Sequence, residues 1–253
     1  MILVDVHCHM DFPEFDADRE EVIQRAEEAG VKAILLNGVN PESNRRVLEL
    51  CKKYPIFKAV LGYYPTHTVE VTEAEFDQEL EWIAKQNFIA FGEVGLDAFE
   101  KPDQLEGMKK AFTKIVELAK KLDKPVIVHT RKAELETIEL LESLGAKKVD
   151  LHCFSGKKAL VQRGIKNGWY FSLPTNILRS SQFQFMAEMI PISQILTETD
   201  APHLAPNPGE RNESANILGS IQKIAEIKKM DPEEVANHVW MNYQRLFITP
   251  TPF

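Results

Sequence analysis

The sequence predicts a (β/α)8 TIM barrel. Three observations carry that expectation. Short apolar runs alternate with amphipathic, helix-spaced segments through the whole 253-residue chain. Six residues of metal-ligand type stand at the ends of five of those runs, where barrel enzymes carry their active sites. Finally, no G-x-G-x-x-G or Walker loop follows any run, which counts against the runner-up, a doubly wound open sheet. With no linker-like or low-complexity break, residues 1–253 are expected to form a single barrel domain.

The elements follow in order. Val4-Asp5-Val6-His7-Cys8-His9 is an apolar strand ending in two imidazoles one residue apart, and strand alternation puts both on one face. Asp18-Arg19-Glu20-Glu21 has the form of an N-cap with a capping-box glutamate. Val22, Ile23, Ala26 and Ala29 continue with helical spacing as far as Gly30. Val31 to Val39 is a mostly apolar run of the kind buried on both faces. Pro41 to Tyr54 predicts a helix, Ile56 to Tyr63 a strand, and Thr72-Glu73-Ala74-Glu75 a capped helix start before strand Phe88 to Val94.

The rhythm repeats beyond that point. Phe112, Ile115, Val116, Ala119 and Leu122 line one helical face, ahead of strand Pro125 to Val128. Ala133 to Leu144, Lys157 to Asn167 and a segment around Phe183 to Met189 predict helices. Lys148 to His152, Trp169 to Leu173 and Gln194 to Thr199 predict strands. Two helices close the chain, the second opened by Asp231 as N-cap with Pro232 at the first helical position.

A net charge of -8 argues against a protein held to nucleic acid by a broad basic surface. It leaves room for an enzyme that meets phosphates through metal ions and a few local cations. Cys8, Cys51 and Cys153 form neither a C-x-x-C pair nor an even framework, which fits a reducing interior. Ile2-Leu3-Val4 leads straight into the histidine pair without a basic leader, and no apolar run nears the roughly 20 residues of a membrane span. A cytoplasmic protein with no membrane association is expected.

At the strand ends stand His7, His9, Glu93, His129, His152 and Asp200. A lone strand-end histidine is usually a loop residue, but four histidines and two carboxylates at one barrel mouth point to metal. Six ligands exceed what one tetrahedral ion with an open position needs, and they suit two ions sharing a carboxylate. Glu93, across the barrel from the first strand, is the natural bridge. Asp200 can ligate one ion and take a proton from the attacking water.

His7-Cys8-His9, Gly92-Glu93-Val94-Gly95-Leu96-Asp97, His129-Thr130-Arg131, His152-Cys153-Phe154-Ser155-Gly156 and Glu198-Thr199-Asp200-Ala201-Pro202 resemble the motifs of the TatD family of metal-dependent hydrolases. The match runs in order from Asp5 to about Phe247 and includes Arg211-Asn212-Glu213. The resemblance implies a metal-dependent deoxyribonuclease, often a 3′→5′ exonuclease on single-stranded DNA. It also implies that His7, His9 and Asp200 hold one ion, His129 and His152 the other, and that Glu93 bridges them. Ligand chemistry favours Zn²⁺ or Mn²⁺, and the family's nuclease activity Mg²⁺.

Two departures stand out. The third-strand motif of typical members, Gly-x-His-Pro-His, is here Gly62-Tyr63-Tyr64-Pro65-Thr66, with His67 one place further on. The aromatic that usually follows the Asp97 position is Ala98. Arg131 and Arg211 are the candidate phosphate contacts, with Tyr64 and His67 also expected to face substrate. Glu198, deeper on the face of Asp200, is expected to orient a ligand from behind. Cys8 and Cys153, each one place past a histidine, are expected to turn away from the metals. A hydrolase of another ester or amide bond and a metal-retaining binding protein are the competing readings.

Overall fold

The computed structural model describes residues 1–248, so the final five residues of the expected domain lie outside it. Among the described residues, eight strands form one parallel sheet in sequence order: β1 (Leu3–Cys8), β2 (Val31–Asn37), β3 (Phe57–Leu61), β4 (Ala90–Asp97), β5 (Val126–Arg131), β6 (Val149–His152), β7 (Tyr170–Pro174) and β8 (Ile195–Glu198). Helices α1 (Arg19–Glu28), α2 (Pro41–Lys53), α3 (Glu73–Ile83), α4 (Leu105–Lys121), α5 (Glu134–Ser143), α6 (Lys158–Lys166) and α7 (Ser181–Met189) separate them. Two more, α8 (Ile217–Lys228) and α9 (Pro232–Tyr243), follow β8. This is the expected (β/α)8 barrel.

The sheet curls round until its last strand meets its first. Cys8 bridges to Ala201, the His9 N–H donates to the Ala201 carbonyl at 2.8 Å, and the Asp200 N–H donates to the His7 carbonyl at 2.9 Å. Asp5, fully buried in this seam, accepts from the Thr199 N–H (2.9 Å) and from the Thr199 and Ser214 hydroxyls (2.6 Å each). Burial pushes its carboxyl up to about 7 against the pull of those hydrogen bonds. The seam therefore aligns the two strand ends that carry His7, His9 and Asp200.

Helix packing follows the sequence spacing. Met108, Ala111, Phe112, Ile115, Val116 and Ala119 of α4 are buried at i, i+3, i+4 intervals against the sheet. Truncating a buried ring such as Phe112 to alanine costs about 3–5 kcal/mol. Thr72 and Glu75 form the expected capping box on α3, and the Asp231 carboxylate accepts from the Glu233 N–H at 2.8 Å. No helix among the described residues is long and apolar enough to cross a membrane.

Two local expectations are corrected. Asp18 precedes α1 but caps nothing with its side chain, because its carboxylate accepts from the Arg211 guanidinium at 2.9 and 2.5 Å. β4 does not end near Val94 but runs on to Asp97, so Glu93 lies within the strand. Gly95 permits the extension: its φ is +143°, and a Cβ there would come within 2.0 Å of the His129 carbonyl oxygen on β5.

Candidate metal centre and active site

A cavity of about 740 Å³ opens at the carboxyl ends of the strands and takes wall residues from the loops after seven of them and from the end of β5 itself. His9, Glu93, His129, His152 and Asp200 line it, and His7 is buried beneath them. Strand alternation brings His7 and His9 to the same side, with their Nε2 atoms 3.1 Å apart. His7 Nε2 lies 3.6 Å from Glu93 Oε2 and 3.5 Å from Asp200 Oδ1; His9 Nε2 lies at 3.3 and 3.5 Å from the same two oxygens. The other Glu93 oxygen faces β5 and β6, with Oε1 at 2.8 Å from His129 Nδ1 and 3.7 Å from His152 Nε2.

Behind the rings, most outer nitrogens are tied. His9 Nδ1 meets the Asn37 carbonyl at 3.0 Å, His129 Nε2 meets Asp97 Oδ2 at 3.1 Å, and His152 Nδ1 meets Glu198 Oε2 at 2.8 Å. These contacts set which nitrogen each ring turns inward. Glu198 also accepts from the Ser172 hydroxyl at 2.6 Å. His7 Nδ1 has no hydrogen-bond partner among the described residues.

The electrostatics are those of a pocket short of positive charge. Burial works against ionisation of Glu93, yet contacts with His129, His7 and His9 hold its carboxyl well below the usual range. Burial likewise opposes a charge on His9, His129 and His152, but the facing carboxylates outweigh it and raise all three, His152 to about 10. Only His7 goes the other way, lowered to about 3 by burial and by the His152 ring stacked 3.6 Å away. The buried carboxylates thus draw protons onto neighbouring imidazoles, a role a cation fills better.

The donor set fits a divalent ion. Two three-residue groups, His7–Glu93–His152 and His7–His9–Asp200, have donor atoms all within 4.8 Å of one another. His129 is outside both groups but directs Nδ1 at Glu93. Imidazole nitrogen and carboxylate oxygen suit a transition ion or Mg²⁺.

The remaining candidates divide. Tyr64 and His67 line the cavity; the Tyr64 hydroxyl donates to Asp97 Oδ2 at 3.1 Å and lies 3.3 Å from His129 Nε2, and His67 Nδ1 meets the Val39 carbonyl at 3.0 Å. Arg131 also lines it. Arg211 does not: its guanidinium is held by Asp18 and donates to the Glu14 carbonyl at 2.5 Å. Cys8 is buried beside Ala201, as expected, but Cys153 is a cavity wall residue. β6 stops at His152 and Cys153 has φ +44°, so strand alternation no longer governs where its thiol goes.

Asp97 was not among the expected site residues. It lies four residues after Glu93 on one strand, a period that places both on the same face and was visible in the motif. Asn37, whose carbonyl backs His9, left no such signal.

The sequence profile described as TatD related DNase matches residues 4–248. The chain belongs to the TatD family. Among its TatD relatives is the deoxyribonuclease TATDN3 of Homo sapiens, 35% identical with 97% of this chain and 94% of the relative covered. YabD of Bacillus subtilis, an uncharacterized metal-dependent hydrolase, is 31% identical, covering 97% and 99%. The crystal structure of the TatD homologue YjjV from Escherichia coli superposes with a TM-score of 0.91 at 29% identity, covering 98% of each chain. TatD membership puts the chain among hydrolases whose relatives are named for metal dependence.

Proposed function

We propose that the chain is a deoxyribonuclease that cleaves phosphodiesters at single-stranded or 3′ ends of DNA with two divalent cations, Zn²⁺, Mn²⁺ or Mg²⁺. The observation that carries this reading is the division of Glu93: one oxygen faces His7 and His9, the other His129 and His152. His7, His9 and Asp200 would hold one ion, His129 and His152 the other, and Glu93 both. Such ions supply charge neutralisation at phosphoryl oxygens and lower a water's pKa from about 16 towards about 7.

The protein's own groups do the rest. Asp200 has a side chain 17% exposed against 5% for Glu93, so it can take the attacking water's proton and pass it to solvent. Burial and the nearby Glu93 and Asp97 carboxylates raise the Tyr64 hydroxyl, which stays protonated and holds Asp97 in place behind His129. Arg131 pairs with a substrate phosphate at the mouth. His67, held by the Val39 carbonyl, faces the substrate from the loop after β3.

A second reading, hydrolysis of a small ester or amide, is favoured by one observation. Arg131 is the one lysine or arginine lining the cavity among the described residues. The deciding experiment strips the protein of metal, reloads it with Mg²⁺, Mn²⁺ or Zn²⁺, and follows end-labelled single-stranded DNA. Stepwise loss from the 3′ end is expected, with Arg131→Ala raising KM. Intact DNA in the presence of a fully metal-loaded protein would transfer the assignment to the small-substrate reading.

A further inference from the structure

Phe99, two residues past β4, is the most exposed large apolar side chain among the described residues, at 57%. It is not a loose loop tip. Asp97 Oδ1 accepts from the Phe99 N–H at 2.8 Å and the Glu100 N–H at 2.9 Å, while Asp97 Oδ2 contacts His129 and Tyr64. One buried carboxylate therefore fixes both the rim backbone and the imidazole that faces Glu93. The Arg131 guanidinium carbon lies 3.8 Å from the Phe99 ring centroid, and Arg131 is itself part of the cavity wall. Its carboxylate neighbour Glu100 stands at 4.0 Å, beyond hydrogen-bond reach. The ring is thus covered by a cation on one side and remains open elsewhere.

We propose that Phe99 and Arg131 form a nucleotide platform at the rim, the ring stacking an unpaired base next to the bond to be cut and the guanidinium holding its phosphate. This rests on the phosphodiesterase reading above and names the side chains that would read the unpaired base. Every base offers a π face, so stacking of this kind tolerates any sequence. Bases inside a duplex are already stacked and unavailable, so the platform selects single strands and frayed ends. The planar guanidinium serves twice, against the ring and towards the phosphate. Ala98 offers no ring, and the exposed aromatic of this loop stands one place later.

The test uses the full chain and a single-stranded oligonucleotide carrying 2-aminopurine at its 3′-terminal nucleotide, whose fluorescence falls when the base stacks. With Mg²⁺ present and the probe's terminal linkage made a phosphorothioate to slow cleavage, wild type is expected to quench it. Phe99→Ala should lose the quenching and weaken Kd about tenfold, and Phe99→Trp should retain both. With metal, the ratio of kcat/KM for single-stranded DNA to that for methyl p-nitrophenyl phosphate should fall about tenfold in Phe99→Ala, through KM. Equal quenching and Kd in wild type and Phe99→Ala would overturn the platform and leave Phe99 as a cover for Arg131. Quenching that depends on Phe99 without any DNA cleavage would uphold the platform and refute only the nuclease reading. Absence of quenching by wild type would overturn the platform whatever the cleavage assay gives.

Discussion

On the side of the centre built from β1 and β8, the outer nitrogen of His9 meets a backbone carbonyl and that of His7 has no hydrogen-bond partner among the described residues. On the side built from β5 and β6, both outer nitrogens meet carboxylates, Asp97 behind His129 and Glu198 behind His152. The first side instead has its own carboxylate, Asp200, turned inward beside His7 and His9. Negative charge is supplied to both halves but at different depths. A carboxylate behind an imidazole makes the ring a better donor, whereas one beside it is a donor and a base in its own right. In the two-ion reading proposed above, the first half would supply the base and the second would hold charge in place.

Removing the residue the halves share should have the largest effect. Glu93→Ala is expected to abolish binding of both ions, measured as metal stoichiometry by elemental analysis. Retention of one full equivalent would show that the halves hold their ions independently. Asp200→Asn comes next: it keeps the size of the group but not its basicity. A 10²–10⁴-fold drop in kcat with little change in KM is expected from steady-state kinetics. An equal loss from Glu198→Gln would erase the functional distinction between the halves.

Glu198→Gln and Asp97→Asn should each weaken one ion about 10–100-fold and leave the other nearly unchanged, read by calorimetric titration. A further prediction concerns pH dependence. His152 is raised from 6.5 to about 10 in the folded protein, so in EDTA it contributes stability that is complete below pH 6.5 and lost as pH rises through 10. Tm of the metal-free protein should therefore fall across that window, and Glu198→Gln should flatten the slope. His7, lowered from 6.5 to about 3, contributes the opposite slope, a gain in stability as pH rises from 3 to 6.5 that levels off above it.

Much of the fold was legible because local periodicity records local burial. The spacing of Phe112, Ile115, Val116 and Ala119 marks the inner face of α4, and Thr72 with Glu75 marks the start of α3, both through interactions spanning a few residues. The errors fell where a distant partner outcompeted a local one. Asp18 has the sequence of a cap, yet a bidentate arginine 193 positions away takes its carboxylate. Arg211, expected at the mouth, is the other end of that pair. The end of β4 was misjudged because Gly95 accommodates the β5 backbone, a contact no β4 pattern encodes.

By itself, the sequence determined that ligand-type side chains gather towards the carboxyl ends of the strands, and that His7 and His9 share a face. A strand's period of two requires nothing beyond the strand to set that last relation. Only the tertiary structure decided which nitrogen of each ring turns inward, that Glu93 divides its oxygens between two pairs of histidines, and that Phe99 stands beneath Arg131 at the rim. Those choices depend on groups arriving from other strands. A side chain's chemistry is local, but its orientation is set by whatever hydrogen-bond partner the closed barrel brings behind it.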